Sequence, residues 1–292
     1  MAFVDIVLGG AFHAAILFLV AAGLQLVFGV QKIVNLACGS FYALGAYFGI
    51  TAVGAAVGLG LPPLLFLPVL ILAGLLIGLV GLPIERLLSV VYRRDESYQL
   101  LLTFGLLLMF QDVFRFVWGA TPRTMDGVYM AYGTAEILGT RVPAYNLLVI
   151  AASLVVAAAL GLFLQRTKTG RIVRATAENR DMAEGLGVNA SRIFALVFTV
   201  GCMLGTVGGA LVVPSSAASL EMAVELVVES FAVVVIGGLG SMRGALVGAL
   251  IVGLMRGAAI SFMPEMELLS IYIVVVAVLI LRPAGLFGKP AT

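Results

Sequence analysis

Glu221, Glu225 and Glu229 recur every four residues in the otherwise apolar stretch 221–237. Four-residue spacing stacks side chains along one helical face. Three like charges on one face repel each other unless water or a partner meets them. The stripe is therefore expected to line an external vestibule, to touch a protein partner, or to lie among lipid headgroups. Gln111, Asp112 and Arg115 form a second polar group, and Asp112 and Arg115 are spaced to pair on one helix face. An ionisable pair inside an apolar span marks a functional candidate, and a structural pair near the interface accounts for it equally well. His13 stands alone in the first apolar run. With no partner within a turn, it reads as a hydrogen-bonded packing residue rather than a proton relay. It is also the one ionisable group that the sequence places clearly deep in a span.

Asn35, Ser40 and Tyr42 stand among small residues in the second apolar run. They can line a narrow path between helices. The alternative is helix capping by Asn35 and an interhelical hydrogen bond from Ser40. Cys38 and Cys202 lie in apolar stretches without metal or disulfide spacing and read as packing residues. The run GGLGSMRG, Gly237–Gly244, lacks the Lys-Ser/Thr ending of a phosphate loop and reads as a tight turn. No carboxylate pair, metal-ligand cluster or nucleophile constellation emerges from the spacing, which argues against hydrolytic or redox chemistry.

The most polar segment is Arg166–Ile193, RTKTGRIVRATAENRDMAEGLGVNASRI. Arg171–Glu178 reads as a pair of helical turns. Ala183–Gly187 reads as a short helix ended by a left-handed glycine, with Asn189 or Ser191 free to cap the next helix. A short charged helix held between two spans is a handle for a cytoplasmic partner; a solvated basic loop that only sets orientation is the plainer alternative.

These residues need a frame. Of 292 residues, 62% are hydrophobic and 11% are charged, far from the surface a soluble domain of this size requires. A bilayer-crossing helix takes roughly 20 apolar residues. The chain is expected to be an all-α integral membrane protein, a polytopic bundle of eight or nine spans. They fall near 4–29, 36–58, 62–84, 98–118, 144–164, 192–213, 221–237, 245–262 and 267–282. The seventh is the weakest and can be a half-helix or a re-entrant segment. The first run has no basic leader and is too long for a cleavable signal, so it counts as a span. Arg86, Arg93 and Arg94, then the basic segment 165–192, then Arg282 and Lys289, belong on the cytoplasmic side. Lys32 and Arg243 join them. Alternation then requires nine crossings, N-terminus outside and C-terminus inside. Trp118, Tyr129, Tyr132 and Tyr145 are expected at the outer interface, and Tyr92 and Tyr98 at the inner one.

Thirty-five glycines crowd the chain. Gly201–Gly205 and Gly244–Gly248 have the small-xxx-small spacing that lets helices approach closely. A faint internal echo links spans one to three with spans seven to nine, as in transporters built from repeats.

The segment GRIVRATAENRDMAEGLGVNASRIFAL resembles the cytoplasmic loop of branched-chain amino-acid ABC importer permeases (LivH type). VNLACGSFYALGAY (Val34–Tyr47), PIERL (Pro83–Leu87), AVVVIGGLGSMRGALVGAL (Ala232–Leu250) and LRPAGLFG (Leu281–Gly288) match the same family in order along the chain. The resemblance implies a single transmembrane permease domain over 1–292, with a coupling loop at about 165–192. It makes Arg171, Arg174, Glu178, Asn179, Glu184 and Gly187 candidates for coupling to an ATPase. It further implies a second related permease subunit, two cytoplasmic ATPase subunits that bind ATP and Mg, and a periplasmic binding protein that Glu221, Glu225 and Glu229 can contact. Its place would be the bacterial cytoplasmic (inner) membrane. The chain itself would be a non-catalytic translocation subunit for branched-chain or related hydrophobic amino acids. Permeases for urea, short amides or aromatic acids are the near alternatives, and an ion-coupled secondary transporter, a channel or a structural membrane protein the distant ones. Relatives often carry His where this chain has Cys38 and Glu where it has Ser40, which leaves the inner end of the path less polar here.

Overall fold

A computed structural model describes residues 2–90, 95–125, 127–137 and 139–288. Tyr92, Arg93, Arg94 and Lys289 lie outside the described residues. Among the described residues twelve α-helices follow one another: α1 Ala2–Gln31, α2 Cys38–Gly58, α3 Phe66–Gly78, α4 Gly81–Ser89, α5 Glu96–Trp118, α6 Ala144–Arg166, α7 Lys168–Glu178, α8 Arg180–Gly185, α9 Ala190–Val212, α10 Met222–Gly237, α11 Met242–Phe262 and α12 Glu267–Leu281. A hairpin of β1 Thr134–Ile137 and β2 Thr140–Pro143 precedes α6, with Thr134 opposite Pro143 and Ile137 opposite Thr140.

Among the described residues, eight helical runs are long and apolar enough to cross a membrane, with α3 and α4 counted together as Pro63–Ser89. The ninth expected span is α10. Its 16 residues reach about 24 Å at 1.5 Å each, short of the ~30 Å hydrocarbon core. The third span runs further than expected. Pro83 cannot donate to the Leu79 carbonyl and its ring crowds that carbonyl. The helix therefore breaks at Leu79–Val80, where tight turns such as Leu82 N–H to Leu79 O (3.0 Å) replace it, and resumes as α4. Arg86 consequently lies in the last turn of a helix rather than in a loop.

α9 is the central post, packed against α1, α2, α3 and α4. Glycine sets these contacts. A Cβ added at Gly23 would come 2.6 Å from the Gly201 carbonyl oxygen, and one at Gly81 would come 2.9 Å from Cys202 Sγ. Side chains at Gly237 and Gly244 would each collide with the other's backbone, so α10 and α11 also touch main chain to main chain. The internal echo has a structural counterpart. α1 packs on α11 through Gly10 and Gly253, and α10 packs on α2 through Ala223 and Gly39. The first helix of each unit thus lies on the second helix of the other.

The aromatic residues expected at the outer interface cluster at one end of the bundle, where Tyr145 is drawn inside the protein. Tyr145 is fully buried, and its hydroxyl donates to Leu211 O at 2.7 Å. Tyr129 and Tyr132 pack on its ring with centroids 5.8 and 6.1 Å away. Tyr132 accepts from Leu67 N–H at 2.7 Å and donates to Leu64 O, and its partial burial raises the phenol pKa above the ordinary value. Trp118 donates to Thr51 Oγ1 at 2.9 Å and packs on Tyr47. Aromatic rings with a polar tip satisfy themselves inside protein as readily as at a headgroup layer. Tyr98 is exposed at the start of α5. The hairpin and this aromatic cluster lie at one end of the bundle. The C-terminal segment lies at the other, where Leu286 N–H and Phe287 N–H donate to Ile236 O and Gly237 O.

Candidate functional site

Close glycine contact between α1 and α11 brings His13 against Arg256 near the hairpin end. α10 adds Glu229, and α12 adds Glu267 from its first turn. Arg256 NH1 lies 2.6 Å from Glu229 Oε1 and 2.7 Å from His13 Nε2. Glu229 Oε2 lies 3.0 Å from the same His13 nitrogen, and Arg256 also pairs with Glu267. His13 Nε2 can donate to Glu229 or accept from Arg256, but not both. The Glu229 side chain is 4% exposed, and Arg256 and Glu267 are 24% and 29% exposed. One guanidinium therefore ties four helices together by holding two carboxylates.

A cavity of about 260 Å³ adjoins this cluster, lined by α1, α2, the end of α9, α10, α11 and the turn before α10. Another, of about 340 Å³, lies on the other side between α1 and α11. Phe12, His13 and Arg256 line both, so they form the wall between them.

The structure separates the three glutamates that the sequence groups. Successive four-residue steps overshoot a turn by about 40° each, so the first and third diverge by about 80°. Glu221 and Glu225 are exposed, whereas Glu229 is buried and ion-paired. The three therefore do not share one exposed face, and Glu225 and Glu229 line the 260 Å³ cavity. His13 is likewise not solitary, nor the one deep ionisable group. Its partners come from α10 and α11, which sequence proximity does not reveal. Arg256 is not among the candidates that the sequence spacing singles out. An arginine inside the apolar run 245–262 is itself a signal of intramembrane function. Asp112 and Arg115 are both exposed and form no ion pair among the described residues, while Gln111 donates to Leu220 O at 3.2 Å.

The proposed path residues divide. Tyr42 lines the 260 Å³ cavity. Asn35 borders a void of about 10 Å³ beside Cys38, and its Oδ1 accepts from Ala37 N–H at 3.0 Å, a capping role. Ser40 is fully buried with its hydroxyl unpaired. A buried hydroxyl without a partner keeps its desolvation cost. Ser40→Ala is expected to leave thermal stability unchanged or to raise it by about 1 kcal/mol, read from the midpoint of heat-induced aggregation in detergent. A clear loss of stability would mean that the hydroxyl has a partner.

At the opposite end, Thr167, Asn179 and Asn189 cap α7, α8 and α9, accepting from Gly170, Met182 and Arg192 N–H. Val173 and Thr176 bury one face of α7, and Ala183 anchors α8. Arg171, Arg174, Glu178 and Glu184 point outward. Asn179 uses its side chain as a cap. Glu184 is held by Arg180 at 2.9 Å, and Arg180 lies over the Phe194 ring. Gly187 takes φ +85°, the left-handed turn expected of it.

Long helices packed through glycine, with a polar cavity toward one end and an exposed helix pair at the other, define a membrane permease. The chain belongs to the family described as branched-chain amino acid transport system / permease component, which matches residues 6–279. It is 27% identical to the high-affinity branched-chain amino acid transport system permease protein BraD of Pseudomonas aeruginosa, over 93% of this chain and 91% of BraD. It is 26% identical to LivH of Escherichia coli K12, a permease protein of the same named system, with the same coverage. It is also 26% identical to the ribose import permease protein RbsC of Haemophilus influenzae, over 77% of this chain and 70% of RbsC.

Proposed function

We propose that this permease carries branched-chain or related hydrophobic amino acids across the bacterial cytoplasmic membrane, driven by ATP hydrolysis on other subunits. The names of BraD and LivH favour that substrate class, and so does the apolar part of the cavity wall, Phe12, Val212, Met222 and Leu226. The ribose relative is a reminder that about a quarter identity does not select a substrate by itself. Urea, short amides and aromatic acids are the other cargoes to test.

The observation that carries the ATP-driven reading is the α7–α8 pair. It is anchored by buried residues on one side and presents Arg171, Arg174, Glu178 and Glu184 on the other. A rigid, charged element of this kind can follow the closure of an ATPase dimer as a lever. ATP and Mg would be bound by two cytoplasmic ATPase subunits. A second related permease would complete the pathway, and a periplasmic binding protein would deliver cargo at the hairpin end. With α7 and α8 in the cytoplasm, the N-terminus is outside and the C-terminus inside.

In proteoliposomes holding the full complex, leucine uptake is expected to require ATP. Glu184→Arg places like charge beside Arg180, and Arg174→Glu inverts an outward charge. Each is expected to lower substrate-stimulated ATP hydrolysis by about tenfold or more, the size of a lost charged contact at an interface. The buried Glu229 and half-buried Arg256 place further ionisable groups within the spans, which an ion-coupled carrier would use, and the same assay decides between the two. Uptake that persists without the ATPase subunits would establish the carrier and refute the importer.

A further inference from the structure

The cavity beside Arg256 has a buried polar side chain whose chemistry is unused. Tyr42 is 6% exposed, lines the cavity and makes no hydrogen bond among the described residues. Its phenol lies in the field of Glu229, Arg256 and Glu225. Glu225 lines the same cavity and forms no ion pair among the described residues. Arg256 pairs with Glu229 and Glu267 rather than with Glu225. Glu225 and Glu229 thus line the cavity with one guanidinium, which also pairs with Glu267 outside the lining, and Glu225 is left as the carboxylate that a cation would offset.

We infer that this cavity is a recognition site for the primary ammonium group of an amino acid, held by Glu225 with Tyr42 beside it. The inference rests on the proposed function and names the contact that such a cargo makes. A buried or half-buried ammonium needs a carboxylate and further oxygen acceptors. Glu225 supplies the charge, and the Tyr42 oxygen supplies an acceptor. The cargo's carboxylate meets the hydroxyls of Ser216 and Ser219 on the turn before α10, which line the same space. Its side chain rests on Met222 and Leu226. A volume of about 260 Å³ suits a small amino acid and little more. The site takes its selectivity from charge at one point and from apolar contact elsewhere, so it distinguishes amino acids from the corresponding acids more sharply than one aliphatic side chain from another.

The test uses the permease–ATPase complex in lipid nanodiscs without a binding protein, with radiolabelled leucine displaced by two probes. Leucinamide keeps the ammonium group, and 4-methylpentanoate lacks it. Leucinamide is expected to compete within about threefold of leucine and 4-methylpentanoate at least about tenfold more weakly, the size of one charged hydrogen bond. Glu225→Gln is expected to weaken leucine about tenfold and to erase the preference for leucinamide. Glu136→Gln, exposed on the hairpin, controls for charge alone and is expected to change neither. The inference is overturned if wild-type protein binds no leucine, if 4-methylpentanoate competes as well as leucine, or if Glu225→Gln keeps the wild-type preference. ATP-dependent leucine uptake by wild-type complex alongside any of these results leaves the proposed function standing. Absence of that uptake overturns both.

Discussion

Arg256→Met is expected to destabilise the protein by about 3–5 kcal/mol, the cost of removing one partner from a buried ion pair. The reason is what remains behind. Glu229, with its side chain 4% exposed, would keep His13 as its one polar neighbour, and Glu267 would lose its guanidinium. Glu229→Gln is expected to cost less, because Arg256 retains Glu267 and the amide can still bond to His13. The combination Glu229→Gln with Arg256→Met removes both buried charges and leaves only Glu267, 29% exposed, to find water. It is expected to recover most of the loss, as replacement of whole buried ion pairs by apolar or neutral groups commonly does. Thermal midpoints from fluorescence-detected size exclusion measure all three. A wild-type midpoint for Arg256→Met would show that the cluster does not hold α1, α10, α11 and α12 together. Additive losses in the double variant would show that the two charges act independently.

The contrast between this cluster and α7–α8 explains what the sequence reveals and what it hides. The α7–α8 segment is legible because its determinants are local. Asn179 and Asn189 cap within three residues, and Gly187 ends a helix by its own conformational freedom. Span lengths are legible for the same reason, including the weakness of α10. The close contacts were half legible. Small-xxx-small spacing marks Gly201 and Gly244 as interface residues, but nothing in it pairs Gly201 with Gly23 or Gly244 with Gly237. The His13–Glu229–Arg256 constellation was not legible, because its members stand 216 and 27 positions apart along the chain. Only the choice of packed faces brings them together. Tyr145 shows the same limit. Its place at a span end predicts an interface residue, whereas a carbonyl on α9 and two loop tyrosines draw it inside.

α1 connects the cavity to the α7–α8 end, and Gln25→Leu is expected to break that connection. Gln25 follows His13 by 12 residues, about 18 Å along a helix axis. It is 1% exposed. Its Nε2 donates to Gly238 O at 2.9 Å, and its Oε1 accepts from Gly240 N–H. These two bonds tie α1 to the turn between α10 and α11. Beside them, Val173, Arg174 and Ala177 of α7 close over Gln25, Gly240 and Met242 around a cavity of about 170 Å³. A push on α7 therefore meets α1 and the α10–α11 turn at one point. Both of those elements continue to the His13–Glu229–Arg256 wall. Leucine at position 25 fills similar space but bonds neither glycine, leaving two turn groups without partners at a cost of about 1–3 kcal/mol each. In the reconstituted complex, the amino acid carried per ATP hydrolysed is expected to fall by about tenfold, within the range for a residue that carries coupling without touching ligand. ATP hydrolysis itself should change much less. Gln25→Glu keeps the acceptor for Gly240 N–H and loses the donor to Gly238 O, so it should lie between wild type and leucine. Lying between two sites does not make a residue a connector, so the ratio of uptake to hydrolysis is the quantity to measure. If uptake and hydrolysis fall in proportion, Gln25 is a structural tie and the lever acts through another route. If the ratio falls alone, α1 is the rod through which the α7–α8 pair moves the cavity wall.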